Sequence, residues 1–160
     1  MTGLVFGVTL AGALGCALNG GVFFAFSTFV MPSLDALPAP QSVAAMQSIN
    51  RLAVRPPFML ALFGTAAVCL GLAVWSVVSW GEPGATWVLA GSVLYLVGAI
   101  AVTVVFNVPL NDRLAAVDAQ SASAADEWRH YMTNWTAWNH VRTVVPMAAA
   151  ALLTIALTVD

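Results

Sequence analysis

Asn139, His140 and Arg142 fall within four consecutive positions, one residue before the apolar run VVPMAAAALLTIALTV. An amide can hold an oxygen, an imidazole can move a proton, and a guanidinium can stabilise an anion. At 100° per residue, Trp128, Tyr131, Trp135, Trp138 and Arg142 form one helical stripe, spaced alternately three and four apart. Asn139 lies beside it, Thr136, His140 and Thr143 continue round the same side, and Ala137, Val141, Val144, Val145 and Ala148 fill the opposite arc. The spacing therefore predicts one inward-facing polar arc with His140 and Arg142 on its two flanks. An interfacial aromatic belt accounts equally well for Trp128 and Tyr131. It accounts less well for Asn139, His140 and Arg142, because polar groups inside a span usually mark a function or a partner.

A second polar patch precedes this one. In FNVPLND, Asn107 and Asn111 lie four apart on one face. Pro109 between them has no N–H to give the carbonyl of Val105, so this segment alone reads as a helix end with asparagine caps. Asn19, before Gly20 and Gly21, would sit ~17 Å deeper, as a pocket floor or a bridge between helices. His130 and His140 are separated by ~15 Å of helical rise, too far to share one metal ion. No zinc-ligand cluster, phosphate-binding glycine loop or activated serine is present in the sequence. Tryptophan faces that stack, asparagine and arginine that hold oxygens, and a histidine that takes a proton suit a flat organic molecule.

The elements that must position these residues are membrane helices. Of 160 residues, 61% are hydrophobic and 8% charged, against roughly 25% charged in soluble domains. The mean hydropathy is +0.90. A net charge of −2 without any basic run gives no footing for nucleic acid. Four stretches, at about 4–31, 58–80, 87–108 and 139–159, are long and apolar enough to span a bilayer, and lipid admits them only as helices. The first lacks a basic leader and is too long for a signal peptide, so it is expected to remain as a span. The fold expected is all-α: a single integral membrane domain over 1–160, a four-transmembrane-helix bundle with helical cytoplasmic loops. Cys16 and Cys69 lie in apolar runs and read as small buried residues.

SWGEPGATW makes a tight turn between the second and third spans. The longer loops carry helical signals. Gln47, Asn50, Arg51 and Val54 share one face of a helix over about 41–54, and Ser123 with Asp126 resembles a capping box opening the last helix. All five arginines lie in or beside these loops and the chain has no lysine, so loops 32–57 and 109–138 are expected to be cytoplasmic, with both termini outside. That topology gathers Asn107, Asn111, Asn139, His140, Arg142, Gln47, Asn50, Arg51 and Arg55 at one level of the bundle, where ligand sites commonly lie between helices. The pairs Gly3/Gly7, Gly64/Gly71 and Gly91/Gly98 suit close helix packing, within the bundle or between copies in a homo-oligomer.

QSINRLAVRPPFM, VFNVPLND and WTAWNHVRT, in this order, together with GGVFFAFSTFVMPSL, resemble the anthrone oxygenase-like family of small integral membrane proteins. The resemblance covers essentially the whole chain, with NVPLN and WNHVR its most specific parts. It implies oxidation of an anthrone to an anthraquinone by O₂, and it points to Asn107, Pro109, Asn111, Trp135, Asn139, His140 and Arg142, with Asn50 and Arg51 as additions. On that footing His140 is expected to act as base, and Arg142 with Asn139 or Asn107 as oxyanion donors worth ~3 kcal/mol each. Asn111, Trp135, Trp138, Asn50, Arg51 and Asn19 would line the substrate. The expected partners are the bilayer, a small hydrophobic aromatic substrate and O₂, with no cofactor. Two alternatives stay open: a membrane redox protein holding haem or a metal through His140, and a non-enzymatic binding or accessory subunit.

Overall fold

A computed structural model describes residues 3–159, and all regular structure among them is helical. Five helices are formed: α1 (Gly3–Asp35), α2 (Ala39–Ala53), α3 (Pro56–Val78), α4 (Ala85–Ala115) and α5 (Ala124–Ala156). The helices α1, α3 and α4 are long and apolar enough to cross a membrane, and the chain is a membrane protein. The stretch expected as a fourth span is helical, in the C-terminal part of α5. But α5, a 33-residue helix whose first half carries the polar residues, is not among the helices apolar enough to cross. Around the bundle α1 packs on α3, α3 on α4, α4 on α5, and α5 back on α1. The short α2 crosses one end, against α5 and the last turns of α4.

Proline shapes α1 and α4 without ending them. Its ring crowds the carbonyl four residues back and it supplies no N–H. Ahead of Pro32 and Pro109 the helix widens into π turns, over Phe26–Val30 and Thr103–Asn107. The N–H of Met31 reaches the carbonyl of Phe26, and that of Val108 the carbonyl of Thr103, each five residues back. The wider turn makes room for the ring, so α4 continues to Ala115. Pro109 is therefore no terminator, and Asn107 makes no capping hydrogen bond. Likewise Ser123 does not cap α5: its carbonyl accepts from Asp126 and Glu127, while its hydroxyl meets that of Ser121.

Between α3 and α4, Gly81 and Gly84 adopt φ of +107° and +81°, conformations that L side chains resist, and so close the hairpin. The small-residue pairs divide into two kinds. A Cβ on Gly98 would run into Val145, and one on Gly91 would meet Leu153 and the carbonyl of Ala149, so this pair lets α4 lie directly on α5. Gly3, Gly7, Gly64 and Gly71 have open space around them. The thiols of Cys16 and Cys69 are free, buried, and 3.9 Å apart between α1 and α3.

Candidate functional site

The buried seam of α5 runs Trp128, Tyr131, Trp135, Asn139, Arg142, Pro146, Ala149, Leu153 and Ala156. A stripe through Trp138 would have continued the aromatic run, but the seam steps four residues from Trp135 to Asn139. Trp138 is left half-buried, stacked on Phe106 at 3.6 Å. Trp128 and Tyr131 form no outward belt. They stack in series with Trp135, at 5.9 Å per step, in a core with Met31, Val43, Met46 and Leu114.

The seam brings Arg142 into the bundle, 5% exposed. Its guanidinium carbon lies 4.5 Å from the centre of the Phe23 ring and 4.9 Å from that of Trp135. Its Nη1 donates to Thr103 Oγ1 at 3.1 Å and its Nη2 to Asn139 Oδ1 at 2.8 Å. Asn139 in turn donates from Nδ2 to the carbonyl of Phe23 and to Ser27 Oγ, both at 2.8 Å. The π turns ahead of Pro32 and Pro109 thus reach the site, one through Ser27 and the other through Thr103. No carboxylate pairs with Arg142: the ion pairs among the described residues are Arg113–Glu127 and Arg129–Asp126, away from the site. The Nε of Arg142 and the Nε1 of Trp135 are buried donors without an acceptor. Such orphans are rare, because a buried donor without a partner loses its hydration and gains nothing in return.

Both residues border a cavity of about 440 Å³, large enough for a drug-sized molecule. Its walls are mostly apolar, with Phe23, Phe26, Phe58 and Met59 prominent. Polar side chains reach it at few places: Arg142, Thr103, Asn50 and Asn111, with Trp135 beside them. Asn50 and Asn111 are linked through Tyr131, whose hydroxyl donates to Asn111 Oδ1 at 2.8 Å and accepts from Asn50 Nδ2 at 3.4 Å. The helix α2 is fixed across this end by Gln47, which donates to the carbonyls of Leu114 and Val117, each at 2.9 Å.

Of the residues predicted from sequence, the cavity thus gathers Arg142, Asn111, Trp135 and Asn50. Asn139 stands behind Arg142. Asn107 is buried beside α5, donating to the carbonyl of Trp135 at 3.2 Å, and does not reach the cavity. Asn19 is bound deeper, to the carbonyls of Gly15 and Ala61 and to Thr65 Oγ1. Arg51 is exposed on the outer side of α2. His140 is also exposed and is not part of the cavity wall. The reason is the seam: with Asn139 pointing inward, the next residue is turned 100° away. The expected inward flank of His140 is therefore corrected, and a haem or metal held by it would lie on the outer surface of α5. His130 is exposed too, against Arg113 and Asn134. Among the described residues no three His, Cys, Asp or Glu side chains converge to hold a metal ion.

Sequence reasoning missed Thr103, Ser27 and the bridging role of Tyr131. Thr103 stands four residues before Asn107, a helical neighbour, and this spacing was the available signal.

A family model described as Anthrone oxygenase matches residues 58–152, which cover α3, α4 and most of α5. Comparison with curated proteins and with solved structures gives no match. The matched segment carries NVPLN, WNHVR and the cavity-lining Thr103, Asn111, Trp135 and Arg142, while α1 and α2 outside it complete the wall with Phe23, Phe26 and Asn50. On this match over more than half of its length, the chain belongs to the anthrone oxygenase family.

Proposed function

We propose that the protein oxidises a flat phenolic substrate of the anthrone type with O₂, binding it as its anion in the cavity beside Arg142. The observation that carries this reading is a buried arginine without a carboxylate, bordering an apolar cavity of substrate size with its Nε unused. An unpaired buried cation is costly, by several kcal/mol in real proteins, and an anionic ligand oxygen would offset that cost. The ring of Trp135 lies 4.9 Å from the same guanidinium, and its Nε1 is a second buried donor without an acceptor.

The ring CH₂ of an anthrone is acidic because its anion is delocalised onto the carbonyl oxygen. Stabilising that oxygen lowers the substrate's own pKa, as a nearby opposite charge does for any acid. The residues bordering the cavity include no carboxylate and no imidazole. Arg142 accordingly promotes ionisation, and water receives the proton. The carbanion gives an electron to O₂, and the two radicals combine to form a C–O bond. The resulting peroxide anion takes a proton back from water, and the hydroperoxide then loses water across its remaining C–H and O–O bonds, leaving C=O. In sum, CH₂ and O₂ become C=O and H₂O. Apolar walls hold both the ring system and O₂. Thr103 and Asn139 fix the guanidinium plane, so its donors are preorganised for the anion. The positive-inside rule favours the arginine-bearing loops on the cytoplasmic side, and on that orientation the cavity would lie in the cytoplasmic half of the bilayer.

The test is oxygen uptake by purified protein given anthrone, with anthraquinone measured as product. Uptake lost in Arg142→Met and retained in His140→Ala agrees with the proposal. Equal turnover by wild type and Arg142→Met would refute it.

A further inference from the structure

The cavity has a side opening. The hairpin of α3 and α4 is closed at its Gly81–Gly84 end and stays together as far as Leu62, whose carbonyl accepts a hydrogen bond from Tyr95 at 3.0 Å. Beyond this level α4 passes through the wide turn Thr103–Asn107, which leans on α5. The N-terminal turns of α3 instead face α1, where Phe58 meets Phe23 edge-on at 6.3 Å. The two helices therefore part, and the cavity lies in the gap.

Residues at this gap both border the cavity and open outward. Phe63 on α3 is 50% exposed, Val104 and Val108 on α4 are 55% and 40% exposed, and Leu52 at the end of α2 is 50% exposed. They are continuous with the outer apolar surface of the same helices, where Leu60 and Val105 are also exposed. Water offers such a rim nothing, whereas acyl chains are its natural surroundings. The polar end of the cavity, by contrast, is covered by α2, held down by Gln47 and Asn50.

We infer that the substrate reaches Arg142 sideways from the bilayer, through the gap between Phe63 of α3 and Val104 and Val108 of α4. The ligand class this selects is a membrane-dissolved aromatic acid. Its flat apolar body partitions among acyl chains, and its one ionisable oxygen leads into the cavity toward the guanidinium. A freely water-soluble polyanion would have to cross the apolar rim and is excluded. This inference rests on the proposed anion site at Arg142 but concerns the route to it. It also sets what must supply the substrate: a reaction whose product is released into the membrane, not into the aqueous phase.

The two ideas fail separately. With the full chain in phosphatidylcholine vesicles, 9-anthracenecarboxylate serves as a fluorescent, flat, anionic probe, and its binding is followed by the polarisation of its own fluorescence. The variant Phe63→Trp/Val104→Trp narrows the gap with outward-facing side chains, far from the helix contacts that hold the bundle. Association and dissociation are both expected to slow, association about tenfold; both residues also border the cavity, so the route is read from these rates and not from Kd. Phe63→Ala/Val104→Ala, which widens the gap, should speed both rates. Rates unchanged in both variants would overturn the side route and assign admission to the α2 end. Arg142→Met reports on the anion site alone. A weakened Kd supports that site, and an unchanged Kd removes it, while the rate effects of the gap variants still decide the route.

Discussion

Arg142 and Asn139, one turn apart on α5, are joined by a 2.8 Å hydrogen bond from Nη2 to Oδ1, and Asn139 is itself pinned to α1 through the carbonyl of Phe23 and the hydroxyl of Ser27. The cation is thus held in orientation by neutral groups. Such an arrangement positions a charge without neutralising it, which distinguishes a site prepared for a ligand from a structural ion pair.

Removing that charge should be the most damaging change at the site. Arg142→Met is expected to lower kcat/KM for anthrone oxidation by about 10²–10³-fold, the usual loss when a preorganised anion donor is deleted. Arg142→Lys should recover little, because a compact ammonium cannot reproduce the planar fork whose Nη1 and Nη2 reach Thr103 and Asn139 from two separate nitrogens. Oxygen-uptake kinetics on the three proteins check this.

His140→Ala should leave kcat/KM within about twofold of wild type, as expected of an exposed position without partners at the site. A collapse of activity in this variant would return the histidine to the mechanism.

Tyr131→Phe removes the hydroxyl that joins Asn50 to Asn111 across the cavity end. A net loss of about 1 kcal/mol, or roughly fivefold, is expected in KM, since the two amides would lose their fixed orientation. The value of kcat should change less, because neither amide contacts Arg142. Separate determination of kcat and KM gives the answer.

Much of this was legible in the sequence, for reasons that individual residues make clear. The apolar spans follow from composition, and the association of NVPLN with WNHVR follows from their placing at the same end of adjacent helices. That Arg142, Asn111, Trp135 and Asn50 lie close together in the bundle was accordingly legible. The direction of His140 was not, because Asn139 and His140 differ by only one helical step. A seam that runs through Trp138 or through Asn139 fits the same letters equally well. The packing of Gly98 on Val145 and the stacking of Trp128 and Tyr131 decide between them, and these are tertiary facts. The wide turns before Pro32 and Pro109 were also hidden, since proline in a span reads first as an interruption.

Helix contact through Gly98 sets a stability test. Gly98→Val would drive a branched side chain into Val145, with an overpacking cost of about 1–3 kcal/mol or more. Gly71→Ala, at a position with open space, should be neutral or slightly stabilising. Thermal unfolding in detergent, read by circular dichroism, should separate the two variants clearly.

Outside the membrane, Arg113 grips Glu127 with two hydrogen bonds, from Nε at 2.8 Å and from Nη2 at 3.1 Å, and so ties the end of α4 to the start of α5. This hydrogen bonding holds the Glu127 carboxyl below the usual carboxylate range. The unfolded value is about 4.3, so the clamp contributes fully above that pH and is lost as pH falls through the lower folded value. In an NMR titration Glu127 should therefore protonate at lower pH in wild type than in Arg113→Gln. Coincident midpoints would show that the clamp is absent in solution.

The lack of a carboxylate beside Arg142 also bears on how a catalytic cycle ends. A built-in acid would hold the guanidinium equally well before and after reaction. In the proposed reaction the attraction belongs to the ligand's own charge, and oxidation of the anion to a neutral quinone would abolish it. Capture and discharge then become two outcomes of one electrostatic contact, and turnover needs no separate device to expel the product.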